Sequence, residues 1–133
     1  MIARTARTTL TLLVVLVAGL VLVACGGGGG GSSQGYQEPK GPATETIDIS
    51  AKNFSFTPDT ITTGAGIAKI ALKGEGGLHT LVFDGDKVPG FQLEVTGGDT
   101  VTKKVDLKPG KYTFYCDVTG HRQQGMVGTI TVK

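Results

Sequence analysis

The feature that most restricts how this 133-residue chain can fold is a two-residue hydrophobic rhythm. It recurs in short pieces from Thr46 onward. Ile47, Ile49 and Ala51 alternate with Asp48 and Ser50, and Ala68, Ile70 and Leu72 alternate with Lys69, Ala71 and Lys73. Tyr112, Phe114 and Cys116 share one face of a later segment; Gly128, Ile130 and Val132 share one face of the last. Alternation of this kind marks a half-buried strand, not a helix. Thr57-Pro58-Asp59, Gly64-Ala65-Gly66, Asp84-Gly85-Asp86, Gly97-Gly98 and Lys108-Pro109-Gly110 punctuate the pattern as turns. About eight short strands with turns at this spacing predict an antiparallel sandwich or barrel. Only Val88 to Glu94 leaves room for a partly helical piece. The chain has no tryptophan and few aromatics, so its core must rest on Val, Ile, Leu and Phe.

Residues 1–24 have a different character. Arg4 and Arg7 precede an almost wholly apolar run from Leu10 to Ala24, the layout of a secretory signal. The run falls short of the roughly 18 apolar residues expected of a spanning helix. It ends in Leu22-Val23-Ala24-Cys25, which resembles a bacterial lipobox. That resemblance implies a diacylglyceryl thioether on Cys25, which becomes the new N-terminus. An uncleaved anchor helix is the other reading. Both place the remainder outside the cytoplasm and attached to a membrane. Two acyl chains anchor stably, at about 0.8 kcal/mol per buried CH₂. Residues 25–45 hold a run of glycines, Ser32, Ser33, Pro39 and Pro42, which is linker composition. A flexible tether of roughly 20 residues has an end-to-end distance of about 25 Å. The expected organisation is therefore signal (1–24), lipidated cysteine and linker (25–45), and one β domain (46–133).

Charge removes one class of function. Without Arg4 and Arg7, 11 basic residues face 11 acidic ones. A near-neutral domain lacks the basic surface that nucleic-acid binding needs.

The chemistry sits in four side chains. Beyond the signal the chain has two histidines, His79 and His121, one further cysteine, Cys116, and one methionine, Met126. Three of these fall in Cys116-Asp-Val-Thr-Gly-His121-Arg-Gln-Gln-Gly-Met126, between two segments that read as neighbouring strands. His79 opens another strand after Gly76 and Gly77. Taken singly, each has a plain structural role available, the two histidines as loop residues and Met126 and Cys116 as core filler. Together they hold the domain's whole stock of imidazole, thiolate and thioether, and strand ends of two sheets can meet at one pole of a sandwich. Thiolate and thioether select copper, and two histidines, a cysteine and a weak axial methionine form a blue-copper donor set. Zinc has no use for the methionine, and calcium or magnesium would need oxygen donors.

At these residues the chain resembles the cupredoxins, the family of plastocyanin, azurin, amicyanin and rusticyanin. Phe114-Tyr115-Cys116, Gly120-His121 and Gly125-Met126-Val127-Gly128-Thr129 are similar to that family's C-terminal copper loop. The resemblance covers about Thr46 to Lys133. It implies an all-β Greek-key sandwich and one copper ion that cycles between Cu(I) and Cu(II). His79, Cys116 and His121 would be the equatorial ligands and Met126 the axial one. It also implies an electron port at the edge of His121, ringed by apolar residues for which Leu78, Pro89, Phe91 and Val118 are candidates. Arg122 beside the port is either a charge for an acidic partner or a solvated side chain. Two positions depart from the family pattern. Thr80 stands where an asparagine often bridges the ligand loops. Asp117 and Thr119 stand where a serine or threonine and a proline are common. The carboxylate of Asp117 would lower the potential unless it turns into water.

The implied function is a monomeric, membrane-tethered one-electron carrier between extracytoplasmic redox proteins, with no enzymatic activity. Copper storage or delivery by the same site is the alternative. A copper enzyme would need an open coordination position or a second metal, for which no further histidine exists.

Overall fold

A computed structural model describes residues 35–133. The expected signal, Cys25 and the start of the linker lie outside the described residues. The chain runs through β1 (Glu45–Lys52), β2 (Ser55–Thr57), β3 (Thr60–Thr63), β4 (Gly66–Gly74), β5 (Leu78–Phe83), β6 (Gln92–Thr96), β7 (Thr100–Leu107), β8 (Gly110–Tyr115) and β9 (Val127–Val132). One turn of 3₁₀ helix, Arg122–Gln124, interrupts the strands. Val88 to Glu94 is not helical: it is a turn that runs into β6. Among the described residues no helix is long and apolar enough to cross a membrane.

The strands form two sheets, β2-β1-β4-β7 and β3-β9-β8-β5-β6. The pairings β1–β4 and β3–β9 are parallel, so the sheets are mixed, not purely antiparallel as the turn spacing predicts. Parallel partners need a crossover connection in place of a tight hairpin, and turn residues along the sequence do not reveal which strands pair that way. The chain crosses between sheets at β2–β3, β3–β4, β4–β5, β6–β7 and β7–β8. This non-sequential order is a Greek-key sandwich.

Period-2 alternation explains the packing. Ile47, Ile49 and Ala51 point inward from β1, and Ile70 and Leu72 from β4. They meet Leu81, Leu93, Phe114 and Ile130 of the other sheet in one core. The core is tight enough that Leu72, Leu81, Phe114 and Ile130 are fully buried. The rigidity this confers extends to the end of β5 and β8, where His79 and Cys116 lie.

Residues at the end of the glycine-rich stretch are docked on the domain. Tyr36 donates its hydroxyl proton to the Lys104 carbonyl at 2.8 Å, and its ring meets Phe91 edge-on at 5.1 Å. Glu38 accepts from the Lys104 amide, and Lys104 Nζ donates to the Gly41 carbonyl. Burial, with the Glu38 and Asp106 carboxylates nearby, pushes the Tyr36 phenol up to about 12. Linker composition therefore continues past the point where contact with the sandwich begins.

Candidate metal centre

His79 lies in β5, directly opposite Val95 of β6. Cys116 follows the last residue of β8. β5 and β8 are hydrogen-bonded neighbours, with Val82 opposite Tyr115. The sequence suggests a site between ends of two sheets, but His79 and Cys116 come from adjacent strands of one sheet.

The loop between β8 and β9 brings in the other two residues. The His121 amide donates to the Val118 carbonyl at 3.0 Å, closing a tight turn. Gly120 occupies its third position with φ of 86°, a conformation that glycine adopts without a Cβ clash. The 3₁₀ turn then ends at Gly125, φ 95°, whose amide caps it on the Arg122 carbonyl. Met126 is stitched to both partners. Its amide donates to the His121 carbonyl, and its carbonyl accepts from the Cys116 amide, each at 3.1 Å. Met126 is fully buried.

One donor atom from each of His79, Cys116 and His121 lies within 4.8 Å of the others. Cys116 Sγ and His121 Nδ1 are 3.3 Å apart. Metal–nitrogen and metal–sulfur bonds of about 2.0 and 2.3 Å would separate two such ligands by about 3.5 Å. The imidazole rings of His79 and His121 stand 5.3 Å apart, centroid to centroid.

A second observation supports a metal here. His79 Nδ1 is buried and has no hydrogen-bond partner, alone in this respect among side-chain N and O atoms of the described residues. An unsatisfied buried polar atom costs about 1–3 kcal/mol. Coordination uses the same lone pair and removes the penalty. Burial also holds the His79 pKa below its usual 6.5; a hydrogen bond with the Gly76 backbone works against this, and the charge of His121 works with it. His79 is therefore neutral and available as a ligand. The residues present fit copper: two imidazoles, a buried free thiol and a buried thioether, with no carboxylate among the three clustered donors.

The depressed His79 pKa has a measurable consequence. Unfolded His79 takes up a proton near pH 6.5, while the folded residue resists until a lower pH. The unfolded state then binds more protons across that window, so the folded state is favoured fully above about pH 6.5 and less as pH falls. Urea titrations of the copper-free protein should show stability falling as pH drops through about 6.5. The slope should be shallower in His79→Gln.

The rim differs in part from sequence expectation. Leu78 is 44 % exposed and, with Val118 and His121, lines a shallow depression of about 400 Å³. Phe91 is instead buried against Tyr36 and Phe83, at the far end of β5 from His79. Pro89 is in the loop at that same far end. Their nearness to Leu78 in sequence is undone by the hairpin, which sends the β5–β6 loop away from the site. Phe54 takes the place expected of Phe91. It is 39 % exposed, and its ring meets the His121 ring edge-on at 4.8 Å. Asn53 and Phe54 both have positive φ, 43° and 62°. That is uncommon for asparagine and an outlier for phenylalanine. Asn53 before an exposed aromatic is the one sequence signal of such a turn. Arg122 is not a free charge: its guanidinium pairs with Asp84 at 3.0 Å and lies over the Tyr115 ring at 3.9 Å.

Residues 43–133 match the family model described as copper binding proteins, plastocyanin/azurin family. Plastocyanin of Dryopteris crassirhizoma is 39 % identical over 95 residues, covering 61 % of this chain and 90 % of that protein. Plastocyanin of Prochlorothrix hollandica is 31 % identical over 130 residues, covering 91 % of this chain and 88 % of its own. Among solved structures, auracyanin B superposes with a TM-score of 0.63 at 18 % identity, over 72 % of this chain and 94 % of that one. At that identity the auracyanin likeness speaks for the fold.

Proposed function

Because this chain belongs to the plastocyanin/azurin family of copper-binding proteins, we propose that it is a blue-copper one-electron carrier held outside the cytoplasm by a lipidated Cys25. His79, Cys116, His121 and Met126 would hold the copper. The observation that carries this reading is the convergence of two imidazole donors and the Cys116 thiol within 4.8 Å, with His79 Nδ1 buried and unpartnered.

Copper bound there supplies a one-electron couple. The chain's part is to keep the donors still. β5 and β8 are locked into the core through Leu81 and Phe114, both fully buried. The Met126 backbone ties residues 116 and 121 to the same strand end. Donors that cannot move cost little reorganisation when charge changes. Thr80 donates its amide proton to Cys116 Sγ at 3.3 Å, drawing charge from the sulfur. Hydrogen bonding of this kind tunes blue-copper potentials.

Phe54, Leu78 and Val118 frame the half-exposed His121 with apolar surface. A small apolar patch suits brief docking of redox proteins, whose interfaces bury less than about 1,200 Å². With Arg122 neutralised by Asp84, recognition by charge falls to the partner's contacts elsewhere.

The test is to load the full chain with Cu(II) and record its visible spectrum, electron self-exchange and copper release. An intense thiolate-to-copper band, fast self-exchange and slow release are expected. A colourless copper protein overturns the blue-copper reading. A coloured one that surrenders copper readily while exchanging electrons slowly is the storage or delivery protein instead. Cys25→Ala should move the protein from the membrane to the soluble fraction of the expressing bacterium.

A further inference from the structure

Four contacts join Thr80, the residue after His79, to Cys116 and to Asp117, the residue after it. The Thr80 amide donates to Cys116 Sγ at 3.3 Å. The Thr80 hydroxyl oxygen lies 3.5 Å from the same sulfur. The Asp117 amide donates to that hydroxyl oxygen at 2.9 Å. The hydroxyl oxygen also lies 2.5 Å from Asp117 Oδ1. Thr80 is 3 % exposed and Cys116 fully buried, so water does not compete at the hydroxyl or the sulfur, while Asp117 is exposed and keeps solvent on its outer side.

A threonine hydroxyl has one proton to give and two lone pairs to receive with. The Asp117 amide occupies a lone pair. The proton has two takers, a sulfur at 3.5 Å and a carboxylate oxygen at 2.5 Å. Short bonds from a hydroxyl to a carboxylate are among the strong ones, and sulfur is a weak acceptor. The carboxylate takes the proton. From Thr80, Cys116 Sγ therefore receives one hydrogen bond, that of the amide, although a second donor stands beside it.

We infer that Asp117 is a positioning residue that withholds the Thr80 hydroxyl from Cys116 Sγ and so holds the copper potential down. Its means is the direction of one hydroxyl proton, in addition to its charge. A hydrogen bond to the thiolate pulls electron density off the sulfur. That favours Cu(I) over Cu(II) and raises the energy of the thiolate-to-copper transition. Removing the carboxylate leaves the Asp117 backbone amide in place, so the hydroxyl keeps its incoming bond and its proton is free to turn to the sulfur. This inference rests on the blue-copper reading above.

The experiment is a cycle of four copper-loaded full-length proteins: wild type, Thr80→Val, Asp117→Ala and the double variant. Reduction potential and the energy of the visible band are read for each. Asp117→Ala should raise both. In the Thr80→Val background the same substitution should lose about half or more of its effect, because no hydroxyl remains to turn. Equal shifts in the two backgrounds would mean that Asp117 acts through charge alone, and would overturn the inference. Asp117→Asn keeps the Oδ1 acceptor and removes the charge, so it should raise the potential less than Asp117→Ala. An equal rise also counts against the inference, and this comparison stands if the Thr80→Val protein does not fold. Absence of the band in wild type is the separate failure of the copper reading.

Discussion

Replacing Cys116 with serine abolishes the intense visible band of the copper-loaded protein and leaves the sandwich folded. The sulfur is fully buried, 3.3 Å from His121 Nδ1 and 3.3 Å from the Thr80 amide. It is the one soft anionic donor in the cluster, and the charge-transfer transition needs it. A serine oxygen is smaller, harder and protonated at neutral pH. Losing an outer hydrogen-bond partner of a metal ligand costs roughly 10–100-fold in affinity, and losing the thiolate itself should exceed that range. The fold should survive because serine still offers the Thr80 amide an acceptor. Burying a hydroxyl there costs the copper-free protein about 1–3 kcal/mol. Titration with Cu(II), followed by absorbance and by thermal unfolding, checks both halves. A Cys116→Ser protein that keeps the band would place the chromophore elsewhere and end the assignment.

Gly128→Ala is expected to destabilise the domain by about 3 kcal/mol, the upper part of the range for overpacking a core. Gly128 sits in β9 directly opposite Phe114 of β8. A Cβ built there overlaps the Phe114 ring and comes within 2.8 Å of the Asp59 carbonyl oxygen. Neither can yield easily. Phe114 is fully buried and packed edge-on against Phe56 at 5.1 Å. The Asp59 carbonyl is held by the Thr129 amide at 2.7 Å. At about 4–8 °C per kcal/mol for a domain of this size, the melting temperature should fall by roughly 12–24 °C. Phe114 lies two residues before Cys116 on the same face, so a displaced ring should also broaden the copper spectrum. Adding Phe114→Leu to Gly128→Ala should recover part of the loss by making room. A neutral Gly128→Ala would show that the ring has another place to go.

These two residues show how much could be read in advance. Cys116 and its partners were visible because thiol, thioether and imidazole are scarce in this domain, and scarcity does not depend on the fold. The strands were visible because alternation is a local property of the backbone. Gly128 was legible only as a glycine on a core face. The reason for it, the Phe114 ring lying against its Cα, belongs to a strand pairing. The rim departs from the sequence expectation for a similar physical reason. Phe91 is near Leu78 in sequence, yet the hairpin carries it to the other end of β5, where it packs on Tyr36. Phe54 is remote in sequence, yet its turn at positive φ delivers it to His121.

Amino-acid order alone determined the donor inventory, the β class and the near-neutral charge, since each follows from residue type and short-range period. Tertiary structure alone decided that β5 lies beside β8, that Arg122 is paired with Asp84, and that the Thr80 hydroxyl lies closer to a carboxylate oxygen than to a sulfur. Such relations join residues tens of positions apart. They exist only after packing has chosen among many pairings that the local pattern permits equally.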